Sequence, residues 1–113
     1  NTYKSSYTNY TPAVPYNGQK KYYEDFISNF KLDEQTYQRL KANRVDYITL
    51  RIRFEINEEG EVYSVSLVGS VAPDEVSKSA FNATKYLGLW KPAYRNGVAV
   101  KSRVTIPMYI RIN

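Results

Sequence analysis

The sequence predicts an α+β fold, an antiparallel three-stranded sheet with helices packed on one face and a long C-terminal edge strand. Two stretches, residues 19–42 and 73–87, carry apolar side chains at three- and four-residue spacing, which is typical of amphipathic helices. Two others, residues 48–56 and 98–112, alternate apolar and polar side chains as half-buried strands do. The elements follow one another as helix, short helix, strand, strand, helix and strand. From this order we expect helices that cover one face of an antiparallel sheet and leave the other face open.

Composition narrows the chemistry that the chain can perform. The 113 residues make one domain, and the formal charge of +5 favours an acidic partner or an anionic surface. Since cysteine and histidine are absent from the sequence, thiolate catalysis, a Ser-His-Asp triad and the usual zinc sites are excluded. We therefore expect a protein that is not an enzyme, with no catalytic residues, no metal ligands and no cofactor.

The start of the chain has a composition of its own. Residues 1–16 are rich in tyrosine, threonine and asparagine, and Pro12 and Pro15 prevent a helix. We expect a flexible or loosely docked lead-in to a folded domain over residues 17–113, or an extended strand lying on that domain. The chain begins at Asn1 and its apolar runs are short, so we also expect a processed part of a longer protein, with any membrane anchor upstream.

The first helical stretch divides into two helices. The first begins at Gln19, and its apolar stripe consists of Tyr22, Tyr23, Phe26, Ile27 and Phe30. Asp33 suits the N-cap of a second, shorter helix. That helix would bury Tyr37 and Leu40 and end near Asn43.

A hairpin follows. The apolar face of its first strand consists of Ile48, Leu50, Ile52, Phe54 and Ile56. Residues 57–60 (Asn-Glu-Glu-Gly) turn the chain, and residues 61–68 return as the partner strand. Val65 and Leu67 share one face, whereas Val62 has the opposite parity, so we expect a β-bulge near the turn.

The third helix opens at Pro73 with acidic residues at its positive end. Its buried stripe consists of Val76, Ala80, Ala83 and Leu87. Gly88 suits a left-handed C-terminal cap. Trp90, just past the helix, is expected to close the core rather than to be an exposed recognition residue.

The tail predicts a tight turn and then a long strand. Asn96-Gly97 is a strong turn signal because both residues accept a positive φ. The core-facing side of the strand falls on even positions: Val98, Val100, Ser102, Val104, Ile106, Met108, Ile110 and Ile112. Pro107 has no N–H to contribute to a sheet ladder, so we expect this strand at an edge, where an amphipathic strand of such length can accept another strand.

Two groups of charges require an interpretation. Glu58, Glu59 and Glu61 cluster in a turn, where we interpret them as solvated hairpin charges, because a general-acid pair among them would need burial to shift its pKa values. The open face of the sheet carries five cations, Arg51, Arg53, Lys101, Arg103 and Arg111. If the two long strands pair, we expect like charges to face each other across them.

This basic face is either a solvated surface or a surface that attracts anions. Tyr63 and Tyr109 stand among the cations, so single-stranded nucleic acid is a formal possibility. The chain has no RNP-like glycine-aromatic motif, and we expect no nucleic acid as a partner.

Several segments together resemble the TonB C-terminal domain family. Residues 54–65 (Phe-Glu-Ile-Asn-Glu-Glu-Gly-Glu-Val-Tyr-Ser-Val) are similar to the first hairpin of that domain. The family's tail is similar to residues 90–93 (Trp-Lys-Pro-Ala), 96–100 (Asn-Gly-Val-Ala-Val) and 106–110 (Ile-Pro-Met-Tyr-Ile). The chain departs from the family before the first strand, where a Tyr-Pro step and a glycine are usual and Lys31-Leu32 and Asp46-Tyr47 stand instead.

The resemblance implies a periplasmic, TonB-like domain of the Gram-negative cell envelope, anchored to the inner membrane if the full-length protein has an N-terminal helix. In such a domain, energy from the inner membrane drives transport through outer-membrane TonB-dependent receptors. The short N-terminal box of the receptor adds as a strand to the edge formed by the last strand.

Parity along the last strand predicts which residues meet such a partner. Alternate residues of a strand point their N–H and C=O groups to opposite sides, and Pro107 cannot donate, so odd residues are expected to face outward. The predicted partner-binding residues are Lys101, Arg103, Thr105, Tyr109 and Arg111. The alternative is a structural or docking module whose edge pairs with the lead-in or, as a homodimer, with a second copy.

Overall fold

A computed structural model of the chain describes residues 9–69 and 73–112, so the first half of the predicted lead-in, residues 1–8, lies outside the described residues. The helices are α1 (Gln19–Asn29), α2 (Glu34–Ala42) and α3 (Asp74–Thr84). The strands are β1 (Tyr10–Thr11), β2 (Val14–Pro15), β3 (Tyr47–Ile56), β4 (Val62–Leu67), β5 (Trp90–Lys91), β6 (Ala93–Arg95), β7 (Val98–Val100) and β8 (Ser102–Arg111). None of these helices combines the length and the apolarity that crossing a membrane requires.

The main sheet is antiparallel, with the strand order β4-β3-β8, which confirms the predicted α+β fold with a C-terminal edge strand. In its central row Ile52 stands between Leu67 of β4 and Ile106 of β8. The β3–β4 register shifts between Glu55 and Ile56, which leaves Tyr63 as an extra residue. The predicted bulge is therefore confirmed at this point.

The core lies between the helices and one face of the main sheet. Its largest fully buried side chains are Phe26, Phe54, Leu50, Ile52, Ile56, Met108 and Val76. Trp90 is buried as predicted, with its ring centre 5.2 Å from that of Tyr22 and 5.7 Å from that of Phe54. Burial in this aromatic cluster raises the pKa of the Tyr22 hydroxyl, because the charged phenolate would lose its water.

The helix ends are formed in two ways. The Asp33 carboxylate accepts the backbone N–H of Thr36 at 2.6 Å, which confirms the predicted N-cap and lowers the pKa of Asp33. The prediction of a left-handed cap at Gly88 is wrong. The helix α3 ends at Thr84, and residues 85–87 donate to carbonyls three residues back, so a run of tight turns closes the helix without a positive φ.

The predicted tail strand is divided at Lys101. The Asn96-Gly97 turn is present, with φ of 53° and 82°, and joins β6 to β7, whereas β8 pairs with β3. The expectation that Val98 faces the core is wrong: its side chain is 64% exposed because the turn holds it at the tip of a hairpin.

The second half of the lead-in lies on the domain as extended strands. The strand β1 pairs with β6, and β2 pairs with β5. Ala13 and Pro15 are buried in this arrangement. Residues 10–15 therefore contact the segment around Trp90 and the 93–95 strand, rather than the outer side of β8.

Candidate functional site

The outer side of β8 is an open sheet edge. The strand β8 ends the main sheet on one side, as β4 does on the other, and among the described residues no strand pairs with its outer side. The ten residues of β8 run opposite β3 without a register shift. A strand edge of this kind presents backbone N–H and C=O groups that another strand can bind.

The direction of these backbone groups follows from the end of the β3–β8 ladder. The backbone N–H of Ile112 donates to the carbonyl of Asp46 at 2.8 Å, directly across from it in the register. In an antiparallel pair such residues alternate with residues that point away from the partner strand. Even positions of β8 therefore bond to β3, and odd positions point outward. Pro107 is at an odd position, so the N–H that proline lacks is not one that β3 needs.

The structure brings four of the five predicted partner-binding residues onto this edge. Arg103, Thr105, Tyr109 and Arg111 lie in β8 at odd positions, and their side chains lie on the exposed face. Lys101 lies in the link between β7 and β8, outside the strand, with its Nζ 5.7 Å from the centre of the Tyr63 ring. It is therefore placed at the end of the edge rather than along it.

The charges on the open face do not face one another as the sequence suggested. The register sets Arg103 opposite Glu55, with Nε 4.0 Å from Oε1, and sets Arg53 opposite Thr105. Arg51 lies opposite Pro107 and Arg111 opposite Tyr47. The expectation of facing like charges is thus wrong, because the register offsets the cations of the two strands and pairs one of them with the acid.

A contact between α1 and this edge was not predicted from the sequence. The Tyr23 hydroxyl donates to the backbone carbonyl of Tyr109 at 2.6 Å. That carbonyl belongs to an odd residue and points outward, so α1 reaches the outer side of the strand. Spacing had assigned Tyr23 to an apolar stripe, and no motif in the sequence relates it to residue 109. The Tyr37 hydroxyl makes a similar bond, at 3.0 Å, to the carbonyl of Ile112.

A groove of about 540 Å³ separates α1 from the C-terminal half of β8. Its apolar wall includes Tyr23, Ile27, Phe30 and Ile110, and Glu24 adds a carboxylate. The Ile27 side chain is 38% exposed, although spacing predicted it in the apolar stripe. The groove lies beside the backbone groups that an added strand would bind, on the helix side of the sheet.

The acidic turn between β3 and β4 shows no comparable site. Glu58, Glu59 and Glu61 are exposed. The Asn57 Oδ1 accepts the backbone N–H groups of Glu59 and Glu61, which organises the turn. Within residues 9–69 and 73–112, no group of acidic side chains could hold a metal ion.

One of three comparisons with known proteins gave a match. Searches of curated proteins and of solved structures gave no match. The profile of one family, described as Gram-negative bacterial TonB protein C-terminal, matches residues 36–111. That family is a non-enzymatic, transport-associated domain of the Gram-negative periplasm. The match covers 76 of the 113 residues, from α2 to the end of β8, and the chain belongs to the TonB C-terminal domain family.

Proposed function

We propose that this domain binds the extended N-terminal box of an outer-membrane receptor as a strand added to β8, and that it couples inner-membrane energy to outer-membrane transport. One observation carries the proposal: β8 is a ten-residue regular edge whose odd residues point their backbone groups outward. Family membership supports a receptor as the partner. The periplasm is the compartment in which such a receptor box would be met.

The number of backbone groups along the edge limits the strength of binding. Arg103 and Thr105 each offer an N–H and a C=O, and Pro107 offers a C=O alone. The Tyr109 carbonyl already accepts the Tyr23 hydroxyl. A few neutral hydrogen bonds at roughly 1 kcal/mol each are offset by several kcal/mol of lost translational and conformational freedom. We therefore expect weak, reversible binding, which suits a partner that must be released after each transport event.

The rival function is a structural or docking module without energy transduction, whose edge pairs in cis or in a homodimer. The cis form has less support, because the described half of the lead-in pairs with β5 and β6 instead. The dimer form is an outcome that the experiment below separates from strand addition.

A proline at Thr105 tests the proposal. The N–H of Thr105 points outward, so Thr105→Pro should leave the β3–β8 ladder intact and weaken binding of a receptor-box peptide about fivefold or more. Thr105→Val keeps the N–H and the β-branched shape, and it should bind as the wild type does. Amide chemical shifts of the labelled domain report the site, and calorimetry reports the affinity.

Two results would count against strand addition at this edge. Peptide-induced shifts that occur only in the helices, with the amides of β8 unchanged, would overturn the proposal. A wild-type dimer that Thr105→Pro converts to a monomer, with no peptide binding in either form, would support the homodimer module.

A further inference from the structure

We infer that the strand accepted by β8 is amphipathic, with acidic side chains on the open face of the sheet and apolar side chains on the helix side. This inference rests on the proposed function, since it describes the chemistry of the partner at the same edge. It follows from the different surfaces that the two faces of β8 offer to a neighbouring strand.

The open face offers an excess of positive charge. On β3 and β8 the side chains of this face include four arginines and one acid, Glu55. The Arg103 side chain is 66% exposed, and its 4.0 Å ion pair with Glu55 is long. An exposed pair of this kind contributes little to stability, so Arg103 can turn to a new carboxylate at small cost.

An added strand would place a side chain beside Arg103. Residues directly opposite each other in neighbouring antiparallel strands share a face, with Cβ atoms about 4.5–5.5 Å apart. The partner residue across from Arg103 therefore lies on the open face, and an aspartate or glutamate there is within reach of the guanidinium. Lys101, at the same end of the edge, adds a second positive charge.

The helix side offers an apolar groove instead. The partner residue across from Ile110 would point toward α1 and enter the groove between Ile27, Phe30 and β8. An apolar side chain there would remove water from the exposed part of Ile27. An acidic side chain there would lose water against Ile27 and Phe30 without a net gain in charge pairing, because one acid, Glu24, and one cation, Arg111, both line the groove.

The alternation of side chains along a strand allows one segment to place an acid beside Arg103 and an apolar residue in the groove. Arg103 and Ile110 occupy an odd and an even position of the same strand, so the partner residues across from them lie on opposite faces. A uniformly acidic segment would bring a carboxylate against the apolar wall of the groove, and a uniformly apolar segment would leave the charge of Arg103 without a new partner. The edge therefore selects a segment in which acidic and apolar residues alternate.

Two synthetic peptides of identical composition test this selection. One is an octapeptide in which glutamate and valine alternate, and the other carries four glutamates followed by four valines. In no register can the second peptide satisfy both faces along its whole length. We expect the alternating peptide to bind at least about tenfold more tightly, to shift the amides of β8 and α1, and to lose affinity as salt is added.

Matched variants separate the two faces. Arg103→Gln should weaken the alternating peptide about three- to tenfold at low salt, whereas Lys78→Gln removes a charge from α3 and should have no effect. Ile27→Glu adds a carboxylate to the groove and should weaken binding about tenfold, whereas Gln35→Glu adds one on α2 and should not. All four positions are exposed, and circular dichroism would verify that each variant is folded.

The outcomes distinguish the inference from the function on which it rests. Equal affinity of the two isomers, with shifts along β8 for both, would overturn the amphipathic preference and leave strand addition standing. An alternating lysine-valine peptide that binds as tightly as the glutamate-valine peptide would overturn the acidic preference. If neither peptide shifts β8 and a receptor-box peptide also leaves it unchanged, strand addition itself is overturned.

Discussion

The two edges of the main sheet pair with the same central strand but differ in what they can offer a partner. The strand β4 has six residues, is half-buried along most of its length and begins beside a bulge. The strand β8 has ten residues, alternates between exposed and more buried side chains, and pairs with β3 without a shift. An unpaired edge thus becomes a candidate binding site only where it is long, regular and accessible.

The neighbours of the two edges explain the difference. The turn that leads into β4 is held against the rest of the fold, because the backbone N–H of Trp90 donates to the Gly60 carbonyl at 2.9 Å. On the other side, α1 contacts the outer side of β8 through the hydroxyl of Tyr23, with a groove beside it. A backbone hydrogen bond thus holds the turn before β4, whereas a side-chain hydroxyl of α1 bonds to the outer side of β8.

The largest expected effect is a loss of stability at the turn that leads into β4. Gly60 has a φ of +83°, and a Cβ added there would lie 2.0 Å from the Trp90 carbonyl oxygen. Gly60→Ala should therefore lower the free energy of unfolding by about 3 kcal/mol or more, measured by urea denaturation.

Gly97→Ala is the matched control. Gly97 has a similar φ of +82° but no atom within 4 Å of the added Cβ, so only the conformational cost of about 1–2 kcal/mol should remain. Equal losses in the two variants would show that the contact with Trp90 does not hold the turn.

The next largest expected effect is a change in peptide affinity when the contact between α1 and β8 is removed. Tyr23→Phe removes the hydroxyl from the Tyr109 carbonyl and leaves that carbonyl available to an added strand. One additional hydrogen bond of about 1 kcal/mol corresponds to roughly fivefold tighter binding of a receptor-box peptide, measured by calorimetry.

Tyr37→Phe removes a comparable hydroxyl from the Ile112 carbonyl, past the end of the strand, and should leave the affinity unchanged. If Tyr23→Phe also leaves it unchanged, the Tyr109 carbonyl is not part of the binding edge.

The smallest effect concerns α2, which supports the end of β8 through Tyr37. The Thr36 N–H lowers the pKa of Asp33 in the folded protein, so the ionised cap stabilises the fold above the unfolded-state pKa of about 3.9. That contribution is lost as the pH falls through the lower folded-state value.

Asp33→Asn keeps a capping oxygen that does not titrate. Melting temperatures between pH 2 and pH 7 should therefore show a smaller acid-induced decrease for the variant than for the wild type. Parallel curves for the two proteins would contradict the role assigned to the cap.

Much of the fold followed from local patterns. The alternation in residues 48–56 predicted β3, the reversed parity of Val62 predicted the bulge, and Asn96-Gly97 predicted a turn with two positive φ angles. Where local patterns misled, a distant contact or a competing local geometry was the cause. Val98 continued the apolar alternation of the tail but is exposed, because β7 pairs with β6 in a separate small sheet.

For the candidate edge too, local properties were predictable from the sequence and long-range contacts were not. Side-chain period and the missing N–H of Pro107 are properties of neighbouring residues, so the sequence alone determined that the tail is an amphipathic edge strand with outward odd positions. The pairing of Arg103 with Glu55, the docking of residues 10–15 on β5 and β6, and the contact of Tyr23 with Tyr109 join residues 48 to 86 positions apart. Only the tertiary structure decided these, because such contacts depend on how the helices and strands pack together and not on the order of residues within any one of them.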